Sequence, residues 1–257
     1  KNPSQIMISS PLEQFALIPL IPMRLGHFDF SVTHSTFMMY IGLSAFFALL
    51  SMITIERGGT IVPNRWQNFV ETLYDTSMTL ANDNITGGKG QKYFPIVFVL
   101  FTFILVCNVT GMVPYSFTST SHLSFTLGLS MITFMGYHII GVRKHGIRLL
   151  ELYYPPGVGL TLAPLIVPIE FIAQFSRIIS LSVRLFANMM AGHTLLKVIA
   201  GFAWQMMQAG TLLFVAHIVT LIVLTALIGL EMAVAFIQAY VFAVLTCIYI
   251  NEAENLH

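Results

Sequence analysis

The chain has 257 residues, of which 56% are hydrophobic and only 9% charged. Soluble domains carry about 25% charged residues, so this composition excludes a soluble globular protein and points to one that crosses a membrane several times. The formal net charge of +1 gives no footing for nucleic acid or a strongly acidic partner.

A chain opening on Lys1 rather than Met is expected to be processed or incomplete, and no Arg- and Ser-rich transit peptide or cleavable apolar core is visible near its start. Residues 1–33 contain Pro3, Pro11, Pro19 and Pro22. Prolines at that spacing allow at most one short helix, expected near 12–20. From His34 to Ile55 no Asp, Glu, Lys or Arg occurs, which gives the roughly 20 apolar residues a spanning helix needs. Glu56, Arg57, Gly58 and Gly59 end this first span (34–55).

The stretch 66–84 differs in kind. Trp66, Phe69, Val70, Leu73, Tyr74, Met78 and Leu80 fall mostly at helical spacing, with Glu71, Asp75 and Asp83 on the other side. This pattern predicts an amphipathic helix lying along a membrane surface. Packing on a soluble face of the same chain is the weaker reading, because almost no soluble chain remains to receive it. Gly87-Gly88-Lys89-Gly90 superficially suggests a phosphate loop, but the spacing fails and no strand precedes it, so a flexible turn is expected.

No Asp, Glu, Lys or Arg appears from Tyr93 to Val142. Pro114 and the polar run Ser116-Phe117-Thr118-Ser119-Thr120-Ser121 divide this stretch into a hairpin (93–142) with spans near 93–113 and 122–142. If the first span runs inward, Arg57, Arg65, Lys89, Lys92, Arg143, Lys144 and Arg148 share one face, while the 114–121 turn is uncharged. Positive residues collect on the inner side, so the N-terminus is expected outside. Cys107 and Cys247 both lie in apolar stretches and read as small buried thiols.

Two long apolar stretches complete the chain, 158–207 and 211–251. Residues 169–203 alone would span about 50 Å as a helix, against a hydrocarbon core of about 30 Å. Strong tilt removes that mismatch. The polar residues within them are patterned. Glu170, Arg177 and Arg184 stand seven apart, and Asn188 extends their stripe by one turn. His193 and Lys197 occupy a neighbouring face, and Glu231 and Gln238 on the last helix are again seven apart.

A charge at mid-bilayer costs about 2.5–3.5 kcal/mol on insertion scales. Such residues therefore face one another, other subunits or water. Singly, each could be a structural contact between helices. Together they form the inventory of a proton relay around a fixed charge. Carboxylates and histidine exchange protons once burial shifts them, whereas arginine keeps its charge.

Ser180-Leu-Ser-Val-Arg184-Leu-Phe-Ala-Asn188-Met-Met-Ala-Gly192-His193 resembles the signature of subunit a of the F-type ATP synthase. The likeness covers nearly the whole chain. Ser10-Pro-Leu-Glu-Gln-Phe15, Gly111-Met-Val-Pro-Tyr-Ser116 and the closing Ile248-to-His257 stretch resemble the mitochondrial branch in plant, algal and protist forms. The loop Tyr153-Tyr-Pro-Pro-Gly-Val-Gly-Leu-Thr-Leu-Ala-Pro164 departs from the plant-type pattern.

The resemblance implies an all-α polytopic membrane protein: one span, a surface amphipathic helix, a transmembrane hairpin and two long, strongly tilted helices. By the same resemblance, Arg184 matches the arginine that separates two offset aqueous half-channels and faces the carboxylates of a rotating c-ring. His193 and Glu231 match positions lining the half-channel open to the intermembrane space. Glu170 matches an acidic position near the matrix half-channel, and Asn188 and Gln238 match polar neighbours of the arginine. Arg177 falls at a basic position with a structural or electrostatic role. The implied partners are the c-ring, other Fo stator subunits such as subunit b, and the lipid bilayer. The implied cargo is the proton, the implied place the mitochondrial inner membrane, and neither cofactor nor catalytic chemistry is expected.

The alternative is a stand-alone ion channel or secondary transporter, which would usually show internal repeats or paired broken helices. No repeat relates 34–142 to 158–251. A haem-bearing subunit would need paired axial histidines on facing helices, and His122, His138, His193 and His217 do not supply them. A purely structural anchor leaves the polar inventory without a use.

Overall fold

The computed structural model describes residues 15–17, 19–25, 28–29, 31–55, 63–113, 116–146, 163–208 and 211–255. Arg57, Arg148, the loop 153–162 and the first residues expected in the long helix (158–162) lie outside the described residues.

The short helix expected near 12–20 falls partly on residues outside the described set (12–14 and 18), and the segment from Pro19 to Thr33 carries short strands. β1 (Pro19–Ile21) pairs antiparallel with β4 (Val32–Thr33), and β2 (Arg24–Leu25) pairs with β3 (Phe28–Asp29). Pro19 and Pro22 lack the N–H that a helix interior requires, whereas a short edge strand tolerates a proline at its first position.

Among the described residues six α-helices follow: α1 (His34–Ile55), α2 (Arg65–Asn84), α3 (Gly90–Gly111), α4 (Leu123–His145), α5 (Ala163–Gln208) and α6 (Thr211–Glu254). All but α2 are long and apolar enough to cross a membrane. The chain is an all-α polytopic membrane protein. Between α2 and α3 the backbone turns through Gly87 and Gly88 with φ of 79° and 69°. An L side chain is strained there, which is why a glycine pair makes this turn.

α2 (Asn64 caps its start with a side-chain bond to the Arg65 amide) is attached to its own bundle more closely than the sequence suggested. Leu73, Ser77, Leu80 and Ala81 are buried along one stripe. They join a core with Tyr93 and Val97 of α3 and Ile250 and Ala253 of α6. The start of α3 and the end of α6 supply the apolar surface that receives this stripe, so no soluble chain is needed for it. Trp66 and Phe69 stay exposed, so the helix retains an outward aromatic face suited to a membrane interface.

The shared core runs from α2 through Phe101 and Ile104 to Leu185 of α5 and Phe242 and Cys247 of α6. α6 contributes Ala235, Ala239 and Ala243, all fully buried. Small residues four apart on one face let backbones approach closely where lipid offers no hydrophobic drive.

α5 and α6 form an antiparallel hairpin of 46 and 44 residues. At 1.5 Å per residue each is more than about 60 Å long, twice the hydrocarbon core, so neither can stand upright across it. Pro168 lies in the second turn of α5, past the free amides of the first turn, so the helix forgoes one backbone hydrogen bond there. Ile172, Ile179, Ile222 and Leu230 are among the large apolar side chains these helices leave exposed.

Candidate functional site

The hairpin register pairs the polar residues of its two arms. Near the tip, His217 Nδ1 meets the Ala203 carbonyl oxygen at 2.8 Å. Further along, His193 Nδ1 stands 3.5 Å from Glu231 Oε1. Beyond that, Asn188 Nδ2 donates to Gln238 Oε1 at 2.9 Å. Towards the far end, Arg177 forms an ion pair with Glu252 and lies over the Tyr249 ring. One register thus brings together three pairs separated by 38 to 75 residues.

Arg184 is treated differently. It is residue 22 of the 46 in α5, and its side chain is exposed. It makes no hydrogen bond or ion pair with a described residue. Leu181, Ser182 and Leu185 beside it turn into the core, which leaves the guanidinium on the outer face. Asn188, one turn on, is also on the exposed side of α5, and it reaches across to the buried Gln238. The Gln238 Nε2 group has no hydrogen-bond partner among the described residues. An orphaned buried amide is costly, and it lies on the same polar stripe as Asn188.

Glu231 is 5% exposed. The 3.5 Å approach of His193 meets a distance criterion for an ion pair but not hydrogen-bond geometry. Among the described residues neither carboxylate oxygen has a hydrogen-bond partner. Room for the group comes from Gly192, where an added Cβ would fall 2.7 Å from Glu231 Oε1. Any larger residue would have to push the carboxylate aside.

The other edge of His193 faces the turn between α3 and α4. Its Nε2 lies 2.8 Å from Thr118 Oγ1. That turn is polar and yet hidden: Thr118, Ser119, Thr120 and Ser121 are all buried. Thr120 donates to Asn108 Oδ1 at 2.9 Å, and Asn108 donates to the Ala235 carbonyl at 3.2 Å. Ser119 donates to the Ser35 carbonyl of α1. The uncharged run 116–121 is therefore a polar plug seated among α1, α3, α4 and α5.

At the opposite end, Glu170 is half-buried and accepts from Gln174 Nε2 at 3.3 Å. The Tyr137 hydroxyl of α4 donates to Gln174 Oε1 at 3.1 Å. A small cavity nearby is lined by Ser130, Thr133, Tyr137, Arg177 and Tyr249, among others. Lys197 is half-buried on α5 and meets no described partner.

Several working residues had no individual signal in the sequence. Thr118 lies 75 positions from the histidine it touches, and Gln174 and Tyr137 are ordinary polar side chains in apolar helices. Gly192 could have been noticed as the glycine beside His193. The closing segment carries Glu252 and Glu254, both beyond residue 251, where the last helix was expected to end. Among the described residues no group of three or more His, Cys, Asp or Glu side chains could hold a metal ion, and Cys107 and Cys247 are buried free thiols.

A profile described as ATP synthase A chain matches residues 36–251. The chain is 48% identical over 253 residues to an ATP synthase subunit a of Marchantia polymorpha, covering 98% of this chain and 100% of the relative. It is 51% identical over 251 residues to an ATP synthase subunit a of Pylaiella littoralis, again with 98% and 100% coverage. An ATP synthase subunit a of Chondrus crispus is 45% identical over 255 residues, 99% of either chain. Plants and algae thus both supply relatives similar over the full length, as the resemblance in the sequence implied.

Proposed function

The chain belongs to the ATP synthase A chain family, and from that premise we propose that it is the proton-conducting stator subunit of an Fo sector in the mitochondrial inner membrane. In this reading it performs no catalysis itself. It offers two offset half-channels to a rotating ring of c subunits, alongside stator subunits such as subunit b. One observation carries the reading: Arg184 is exposed halfway along an apolar helix and has no partner among the described residues. A guanidinium in that position, while Arg177 two turns away is paired with Glu252, fits a partner supplied by another subunit.

The mechanism rests on the cost of charge in lipid. A protonated ring carboxylate is neutral and can face the bilayer, whereas an ionised one cannot. Protons entering past His193 and Glu231 neutralise a ring carboxylate, and that c subunit then turns out into lipid. After nearly a full turn it reaches the second path, near Glu170, and loses its proton there. The resulting anion is held by Arg184 until it is reloaded. Arginine does not give up its own proton, so protons cannot pass straight between the paths, and flow is tied to rotation. Asn188 and Gln238, bonded to each other, line the polar strip beside the arginine.

The arrangement along the hairpin supports this division of labour. The His193–Glu231 pair lies on one side of Arg184 in chain order, and the Glu170–Gln174–Tyr137 series lies on the other. Arg184→Ala is expected to abolish proton-driven ATP synthesis while the membrane sector still assembles. Arg184→Lys is also expected to fail, because an ammonium can lose its proton when desolvated and lacks the planar fork. Normal coupled synthesis by Arg184→Ala in reconstituted vesicles would overturn the reading.

A further inference from the structure

We infer that Thr118 is a positioning residue that sets the tautomer of His193, so that the lone pair of Nδ1 faces Glu231. This rests on the proton-path reading above and adds to it the direction in which the proton is handed over.

The argument is one of donor counting. A threonine hydroxyl has one proton to give and two lone pairs to accept with. Thr118 Oγ1 is buried and touches two groups: the Gly111 carbonyl oxygen at 3.2 Å and His193 Nε2 at 2.8 Å. A carbonyl oxygen can only accept. The hydroxyl proton therefore goes to Gly111, and a lone pair is left for the imidazole. Nε2 must then carry its hydrogen and donate. In a neutral ring that leaves Nδ1 as the bare nitrogen, and Nδ1 is the atom 3.5 Å from Glu231 Oε1.

Turning the hydroxyl proton towards the imidazole would cost the Gly111 carbonyl its bond from Thr118, and the oxygen itself is seated against Gly111, where an added Cβ would lie 2.4 Å from Thr118 Oγ1. The rest of the turn is seated by the Thr120–Asn108 and Ser119–Ser35 bonds. Two backbone features, a helix-ending glycine carbonyl and a buried turn, thus select one of two imidazole tautomers.

The consequence is chemical. With Nε2–H engaged, a proton on Glu231 Oε1 faces a lone pair, and transfer gives a carboxylate and an imidazolium. The reverse transfer restores the neutral pair. One proton moves between Oε1 and Nδ1, and the Nε2–H bond stays intact. In the other tautomer two hydrogens would meet whenever Glu231 is protonated, and the step would stall until the ring flipped. The 3.5 Å separation is longer than a hydrogen bond and has to close slightly for transfer, as resting donor–acceptor pairs commonly do. Thr118 from the turn faces the pair, and Lys197 follows His193 one turn further along α5. His122 and His34 reach this corner only through Phe117, which stacks on the first and meets the second edge-on.

The test uses intact ATP synthase in lipid vesicles with 15N-labelled histidine, and the His193 signals are assigned by their loss in His193→Gln. Wild type and Thr118→Ser are expected to show the Nε2–H tautomer and full proton-driven synthesis. Thr118→Val is expected to show mixed tautomers and a several-fold lower rate. A wild-type His193 carrying its neutral proton on Nδ1 would overturn the inference, even if no variant assembled. So would a Thr118→Val enzyme with unchanged tautomer and rate. Failure of the underlying reading looks different: unchanged proton flux in both Glu231→Gln and His193→Ala, with the wild-type tautomer as expected.

Discussion

Two carboxylates on α6 are almost equally hidden and treated in opposite ways. Glu254 is 2% exposed and Glu231 is 5% exposed. Glu254 Oε1 meets Lys89 Nζ at 2.8 Å and Lys144 Nζ at 2.9 Å, and Tyr93 donates to its other oxygen at 2.8 Å. Its backbone carbonyl is held by Lys144 and His145 as well. Glu231 has no hydrogen-bond partner on either oxygen among the described residues. A buried carboxylate is retained either because its donors hold several elements together or because it must remain free to exchange a proton. Glu254 is the first kind, joining the turn before α3, the end of α4 and the end of α6. Glu231, unbonded among the described residues, is proposed to be the second.

Exchanging each acid for its amide sharpens that contrast most. Glu231→Gln is expected to lower proton-driven synthesis about a hundredfold, the order that a lost proton-transfer group costs. Thermal resistance of the assembled membrane sector should hardly change. A rate near wild type would place Glu231 with the structural acids. Glu254→Gln should do the reverse. Loss of charge-assisted bonds costs about 1–3 kcal/mol, visible as a lower denaturation temperature, with synthesis per assembled complex retained. A functional collapse without loss of stability would break the comparison from the other side.

The glycine next to His193 gives a smaller effect. Gly192→Ala would put a methyl group 2.7 Å from Glu231 Oε1. The carboxylate can swing away, so a partial loss of rate is expected. Gly201→Ala, with nothing within 4 Å, is the control and should leave the rate unchanged. Equal rates in the two alanine variants would show that the position of the carboxylate does not matter.

The smallest effect concerns Lys89. Its hydrogen bond to Glu254 holds the ammonium above its ordinary value of 10.5. A raised lysine contributes stability that is fully present below 10.5 and lost as pH rises through its value in the fold. Lys89→Gln should therefore flatten the alkaline fall in thermal stability and change little at neutral pH, since Lys144 and Tyr93 still hold Glu254. A fall of undiminished steepness in the variant would remove Lys89 from the clamp.

Much of the molecule was readable in one dimension. Uncharged runs of spanning length marked α1, α3 and α4, and runs twice that length marked α5 and α6. Arg184, His193 and Glu231 stood out because each is expensive in an apolar setting. The contacts that stayed hidden depend on distance along the chain. Asn188 and Gln238 are 50 residues apart, Thr118 and His193 75, and Lys89 and Glu254 165. Nothing local announces such pairs, because each is set by how one helix lies on another. The inner stripe of α2 was misjudged for the same reason, since its partners are the ends of α3 and α6. The strands before α1 were missed because two or three residues carry too little periodicity to register.

Local rules therefore settled which segments are helices, how long they are, and that a charge sits where lipid would reject it. Hydrophobic content and helical spacing act within a few turns and can be summed along a chain. The packed structure alone decided which buried acid is clamped and which is free. It also decided which face of His193 meets a hydroxyl, and that Arg184, unlike Arg177, is left without a partner among the described residues. Those outcomes depend on the register of the α5–α6 hairpin and the seating of one polar turn. A shift of a single residue there would rotate every side chain on α6 by about 100° and exchange the partners.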